Sequence, residues 1–580
     1  MITQFCYGFS ALKICVLKLI ILAFLLCWSN TVAAESSDLI RALKQGQTLE
    51  KRGRYKEAIS FYKKALEIGE QVFGPDHEGT AILHIYLAGP YLEQDRYKKS
   101  ASHIERSIEI YEKAFGPQHP KVASGLNSIA ELYSLQSRYK EAEPLYKRAL
   151  AIREKAFGPE HPKVAISLQN LASLYRKQKW YHDAEPLYKR ALAIIEKAFG
   201  PEHQGVVKVL NDLARLYRDL SRFGEAEIHY KRSLFINEKA LGPWHPDVAE
   251  SLYDLAWLRN IQGRYKEAVP LYKRAIKIKV KAFGPEHPEV ATVLNKLASL
   301  YNIQSNYPEA EPLYKRALAI REKAFGPEHT KVASSLEGLG SMYLNQGRYR
   351  EAELLLKRSL AINSKALGHE HIDVGRSINS LAALYLKMGQ YGAAERMFKR
   401  AVAIAEKASG TNLSVAKTLA PVLNNLATLY SHQGRFGEAE YHLMRSLAIS
   451  EESFGFEHDF TATVLNNLAE LYRNQGRYDV AEPLLKRSLL INKKALGPDH
   501  PRVAANLNNL ALLYSSQGRF ADAESVFKQI STIQKKVLGP GHPAVALNLN
   551  NLAVLYVDRG RYADAEPLIR RAIAIQKKAL

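Results

Sequence analysis

A chain of 580 residues is too long for one ordinary hydrophobic core, so it holds several domains or a repeat array. At 47% hydrophobic and 24% charged it has the composition of a folded soluble protein, which excludes a disordered chain. Its formal charge of +22 favours acidic partners: acidic peptides, anionic membrane surfaces or nucleic acid.

The chain opens on a segment patterned for export. Lys13 and Lys18 are the only charges before Glu35, an apolar run covers residues 19–28, and Val32 and Ala34 stand at the −3 and −1 positions of a cleavage site. The run has ten residues against the ~20 that span a bilayer. The expectation is a cleaved signal over 1–34 and a periplasmic or secreted chain of charge +20, two lysines fewer, with an uncleaved membrane anchor as the alternative. Cys6, Cys15 and Cys27 all lie in this segment. The remaining chain therefore forms no disulfide, thiolate metal site or cysteine nucleophile. A lipid-bearing Cys27 is disfavoured, because Leu26 stands where a small residue is required.

Beyond residue 35 the sequence repeats. A glycine opens each unit, from Gly74 through Gly116 and Gly158 to Gly410 in steps of 42, then Gly455, Gly497 and Gly539. Only the step from Gly410 to Gly455 differs, at 45. Within one unit, Leu168, Leu171, Ala172 and Tyr175 follow helical spacing and predict an A helix over 162–178. After a break at Lys179-Trp180, Ala184, Tyr188, Ala191, Leu192 and Ile195 mark the buried stripe of a B helix. Asp183, Glu185 and Pro186 sit near its start, where acidic side chains suit the dipole and a missing N–H costs least. Gly200-Pro201 ends it. One hairpin cannot bury its apolar face alone, but stacked neighbours can. The expected organisation is a signal (1–34), a partial N-terminal hairpin (35–73), eight regular units (74–409), an irregular unit (410–454) and three more (455–580).

These residues carry a resemblance. Leu168-x-x-Leu171-Ala172-x-x-Tyr175 with Ala184, Tyr188 and Ala191 resembles the tetratricopeptide signature, at a period longer than the usual ~34. The fuller form, seen in residues 508–511, 517–520 and 539–542, is similar to the kinesin light chain repeat domain and its bacterial relatives. The resemblance implies an all-α fold, a right-handed superhelical α-solenoid of about 13 helix-turn-helix hairpins. It also implies an adaptor that binds peptide segments, often acidic with an aromatic, in a groove lined by the A helices.

By that pattern the groove positions include Asn127, Asn170, Asn211 and Asn295, with further asparagines up to Asn551. An amide both donates and accepts, so it can pair with a peptide backbone, or it can fix the hairpin from within. Between 158 and 223 the groove positions turn basic, with Arg176, Lys177, Lys208, Arg215 and Arg218. They suit a carboxylate-bearing segment, unless Asp212 and Asp219 neutralise them. Two other patterns read as structural. His77, His119, His161 and their counterparts are too far apart, at interhelical spacings of ~8–10 Å, to converge on one metal, and read as loop residues. The Lys-Arg pairs of the B helices, such as Lys273-Arg274, read as a solvated convex face.

No phosphate loop, His-Glu-x-x-His or nucleophile elbow appears, so the sequence predicts no enzyme, no cofactor and no metal. No nucleic-acid motif is present either. The first expectation is a scaffold or adaptor for partner proteins. The alternatives are a self-assembling envelope scaffold and a polyanion or membrane-surface binder. The sequence leaves the oligomeric state open.

Overall fold

The computed structural model describes residues 30–94, 96–136, 138–408 and 412–579, with the backbone alone for 30–36, 51, 412–414 and 578–579. The export signal read over 1–34 lies largely outside them. The described residues form two compact units, one up to residue 212 and one from 213 to 580. Among them are helices and no strand.

The first unit contains α1 (Asn30–Lys51), α2 (Tyr55–Phe73), α3 (Glu78–Glu93), α4 (Tyr97–Phe115), α5 (Pro120–Leu135), α6 (Tyr139–Phe157), α7 (Pro162–Gln178) and α8 (Tyr181–Phe199). After a 3-10 turn at Gln204–Val206, α9 (Val207–Asp219) crosses the division. The second unit continues with α10 (Phe223–Leu241), α11 (Pro246–Ile261), α12 (Tyr265–Phe283), α13 (Pro288–Ile303), α14 (Tyr307–Phe325), α15 (Thr330–Asn345), α16 (Tyr349–Leu367), α17 (Ile372–Lys387) and α18 (Tyr391–Lys407). It ends with α19 (Asn412–His432), α20 (Phe436–Phe454), α21 (Asp459–Asn474), α22 (Tyr478–Leu496), α23 (Pro501–Ser516), α24 (Phe520–Val537), α25 (Pro543–Asp558) and α26 (Tyr562–Ala579). Consecutive helices pair into hairpins, and the segment read as partial, 35–73, carries both of its helices, α1 and α2. No described helix is long and apolar enough to cross a membrane.

The turn chemistry explains the boundaries. In the loop before α7, Gly158 takes φ 85°, which only glycine adopts without strain, and its N–H closes the preceding helix on Glu154. His161 is then the N-cap: its Nδ1 accepts the Lys163 N–H at 3.1 Å, and its ring stacks on Phe157 at 4.8 Å. The loop histidines from His77 to His542 cap their helices in the same way. Among the described residues, the turn inside a hairpin also takes a left-handed residue, such as Gly263 or Gly347. Where glycine is missing, Lys179, Ser221 and Ser305 take that conformation. One expectation shifts. Pro186 is the sixth residue of α8, past the first turn, so its missing N–H removes a helical hydrogen bond.

The core follows the small–large alternation. Leu168, Ala172, Ala184, Tyr188 and Ala191 are fully buried, and Tyr175 and Leu192 half-buried. Tyr175 stays at the edge because its hydroxyl donates to Glu143 on α6, 3.2 Å away. The same join recurs between later hairpins. Tyr343 and Arg348 both donate to Glu311 of the preceding B helix, at 2.8 and 3.0 Å, while Arg348 lies over the Tyr343 ring at 3.9 Å. Burial opposes the Glu311 charge, but hydrogen bonds from Lys315, Tyr343 and Arg348 hold its carboxyl down to about 2. Arg348 of Gln346-Gly347-Arg348-Tyr349, with Tyr343, and Glu311 of Glu309-Ala310-Glu311 are therefore the two halves of one joint.

Candidate functional site: the A-helix face

A second set of joints lies five residues before several of the unit glycines, on the B helix, and the sequence reading missed it. Arg153 donates to Ser167 and Ser124 at 3.1 and 3.2 Å, Asn237 to Ser251 at 3.1 Å, Arg321 to Ser335 at 2.9 Å and Asn363 to Ser377 at 2.9 Å. At Lys279 the joint is ionic, with Glu289 at 2.6 Å and Glu250 at 3.2 Å. Burial works against the Lys279 charge, but the two carboxylates outweigh it and raise its pKa. The 42-residue register was the available signal, since it aligns Arg153, Asn237, Lys279 and Arg321, polar residues at the position that Ile195 fills in the apolar stripe.

The predicted asparagines serve the fold first. Asn127 is buried and donates to Ser167 at 3.4 Å, and Asn295 donates to Ser335 at 3.0 Å. Asn211 is buried and Asn170 half-buried. Further along, amides bridge successive A helices: Asn425 to Asn379 at 3.1 Å, Asn467 to Asn424 at 2.8 Å and Asn551 to Asn508 at 2.9 Å.

The five predicted cations are placed differently from one another. In the first unit Arg176 is buried, Lys177 donates to Ser134 at 2.9 Å, and Lys208 is exposed. Burial lowers the Lys177 pKa, opposed by Glu131 and Asp212. The Glu131 carboxyl is raised by burial and pulled back by Lys177 and Lys208, so each sign of charge faces the other. In the second unit Arg215 is buried on Asp254 at 2.6 Å, with Glu250 at 3.9 Å. It was read as facing a ligand, and the structure spends its charge inside the fold. Arg218 pairs with Asp219 at 2.9 Å and lies 4.0 Å over the Trp257 ring.

Trp257 and its second neighbour were not foreseen. Lys296 reaches the same indole, 5.0 Å from its centroid, and among the described residues no carboxylate pairs with it. Its ammonium pKa is lowered by burial and by the like charges of Arg218 and Arg321. Close by in the pattern are buried polar atoms without a partner among the described residues: Arg218 Nη1, Asn260 Oδ1 and Asn295 Oδ1. Lys296 occupies the position just before Leu297-Ala298, where Asn170 and Asp254 stand in other units, so the same register could have found it.

Many B-helix cations are matched. On the B helices Lys147 pairs with Glu143 at 2.7 Å, and Arg148 reaches back to Glu112 of the preceding hairpin at 2.8 Å. Much of the Lys-Arg stripe is thus tied into ion pairs. The described residues contain no cluster of three or more metal-ligating side chains.

Comparison with known proteins places this architecture. The tetratricopeptide repeat profile matches residues 38–113, 82–155, 121–197, 164–239, 229–281, 259–323, 289–365, 339–407, 418–489, 460–536 and 517–578. No curated protein matches the chain. Among solved structures, BtubC (BKLC) from P. vanneervenii is 23% identical over 42% of this chain and 91% of its own, with a TM-score of 0.33. A putative kinesin light chain of nearly identical TPR-like repeats from Podosopora anserina is 29% identical over 36% of this chain and 100% of its own, with a TM-score of 0.32. A singly substituted form of that protein is 29% identical over 36% of this chain and 99% of its own, with a TM-score of 0.33. With hairpins packed in series and the family profile matching from residue 38 to 578, this chain belongs to the tetratricopeptide repeat family.

Proposed function

We propose that the chain is a non-enzymatic scaffold that holds an acidic segment of a partner protein on the A-helix face of the second unit. Stacked hairpin arrays present extended binding surfaces, and protein–protein interaction is the general role of this family. One observation carries the finer reading: Lys296 and Arg218 share the Trp257 indole, and among the described residues no carboxylate pairs with Lys296, whereas B-helix cations such as Lys147 and Arg148 have one. A partly buried ammonium beside like charges is costly until an anion arrives. A carboxylate supplied by the partner would relieve it.

The test is a pair of single substitutions with equal charge change. For the tightest acidic segment from a displayed peptide set, measured by fluorescence anisotropy, Lys296→Ala should weaken binding by roughly 1.5–3 kcal/mol, the range for a hydrogen bond to a charged group. Lys273→Ala, on the exposed face of α12, should leave affinity within about twofold, the small effect typical of a surface charge. Equal losses would identify diffuse polyanion binding and end this reading.

Export remains part of the proposal, resting on the patterning of residues 1–34. N-terminal sequencing of the mature chain should begin at or near Glu35, and a chain retaining Met1 in a cytosolic fraction would refute it.

A further inference from the structure

The second unit touches itself at long range. His500 opens α23, and its side chain meets the α11–α12 turn. A Cβ placed on Gly263 would lie 3.0 Å from His500 Cδ2 and 3.1 Å from Pro501 Cδ. His500 also reaches the backbone carbonyl of Ile261. One hairpin further on the contact repeats. His542 Nε2 lies 3.4 Å from the Ile303 carbonyl and 3.3 Å from Ser305 Oγ. Both histidines thus meet a carbonyl 239 residues earlier. Between the two contacts, Val537 and Leu538 pack against the core cluster that contains Leu300 and Tyr301.

Each of these imidazoles is used on both sides. Nδ1 of His500 accepts the Arg502 N–H at 3.1 Å, and Nδ1 of His542 accepts the Ala544 N–H at 3.1 Å. That fixes the remaining proton on Nε2, the atom that faces the earlier turn. A second proton would remove the cap acceptor and put a charge into a closed contact. The groups around His500 are Arg502 on its own helix, Asp459 on α21, which pairs with Arg502, and Tyr265 on α12, which lies in the field of Arg502. His542 has the Ile303 carbonyl and the Ser305 hydroxyl, and burial is the first cause of its shift.

We propose that His500 and His542 form a latch which locks the α11–α12 and α13–α14 turns to the loops before α23 and α25, and that acid releases it. The latch fixes the spacing of the second unit's A helices, and so regulates the face on which Lys296 stands. The electrostatics agree in direction. Burial, with Arg502, lowers His500 to about 4, and burial lowers His542. Both contacts are therefore fully present above the open-state pKa near 6.5 and weaken as pH falls below it, for His500 towards 4. Between pH 7.5 and 5 the opening constant at His500 should rise roughly thirtyfold.

Hydrogen exchange on the full chain, corrected for intrinsic rates, tests the latch. At pH 5 the turn 260–266 should lose protection up to about thirtyfold relative to pH 7.5, the size of that linkage, and the turn 302–308 should lose protection in the same direction. The equivalent turn at 344–350 should not follow. His500→Asn with His542→Asn keeps an N-cap acceptor but cannot span the contact, so protection of both turns should be low at either pH. His371→Asn, with an exposed ring, should behave like the parent. Gly263→Ala adds an independent arm. It carries the same left-handed strain as Gly347→Ala, whose site has nothing within 4 Å, but only Gly263→Ala also obstructs His500. Full protection retained in the double asparagine variant would overturn the latch. Parent turns that track 344–350 at both pH values would overturn its release by acid. Because no peptide is present, either failure leaves the Lys296 site standing, and failure of the Lys296 test leaves the latch standing.

Discussion

Replacing Phe398 by alanine should cost about 3–5 kcal/mol and split the unfolding of the second unit into two transitions. The ring is fully buried in α18, in a cluster with Val374, Ile378, Ala394 and Ala401. The remainder of the expected effect comes from its place in the array. In most other units a B helix ends on a left-handed glycine, or one residue before it at Leu538, and hands over to a histidine-capped A helix. After α18 the cap is Ala408 in an extended conformation, and Gly410-Thr411-Asn412-Leu413 replaces the Gly-Pro-x-His loop. The next helix, α19, has 21 residues where the A helices of the flanking units, α17 and α21, have 16, with Pro421 inside it. In a quasi-one-dimensional array, cooperativity passes only through neighbouring interfaces, so a cavity beside an irregular joint should uncouple the two sides. Phe527→Ala opens a comparable cavity in α24 between regular loops, and its loss should appear as a shift of one transition. Urea unfolding followed by circular dichroism, with hydrogen exchange across 368–500, distinguishes the cases. A single shifted transition for both variants, with uniform exchange, would contradict the weak joint.

The repeat period made the fold legible, and the same regularity hid much of the site. Because Gly158, His161 and Pro162 recur at fixed intervals, each turn is specified many times over, and the A helix read over 162–178 matches the observed one. The histidines were readable as loop residues, although their capping bond and the stack on Phe157 needed coordinates. Charge was harder. A sequence shows that Arg215 falls on the A helix, but not that Asp254, 39 positions later, reaches it. Pairing across hairpins depends on side-chain reach between stacked helices, which periodicity does not encode. The latch contacts are further still from view. His500 and His542 look like every other loop histidine, and only the course of the backbone over 239 residues sets them apart.

Arg215→Ala should destabilise the second unit by about 3–5 kcal/mol without acting as a ligand-site variant. The guanidinium and the Asp254 carboxylate are 5% and 2% exposed, so removing the cation leaves a buried, uncompensated charge. Glu250, 3.9 Å from Arg215 and 3.2 Å from Lys279, connects the pair to the Lys279–Glu289 joint, so the damage should spread into α12 and α13. Restoring neutrality separates the charge from the packing. Arg215→Met with Asp254→Leu removes both ions and keeps apolar volume, and buried pairs replaced in this way are often neutral or more stable. The double variant should therefore recover most of the loss in thermal or urea unfolding. Peptide affinity should then return to the parent value, since the Lys296–Trp257–Arg218 cluster is untouched. Lys296→Ala predicts the opposite pattern, near-parent stability with weakened binding, because among the described residues no carboxylate depends on it. If the Arg215→Met, Asp254→Leu chain folded stably yet lost the acidic segment, Arg215 would belong to the binding site after all, and the division between structural and ligand-facing cations drawn on this helix face would be wrong.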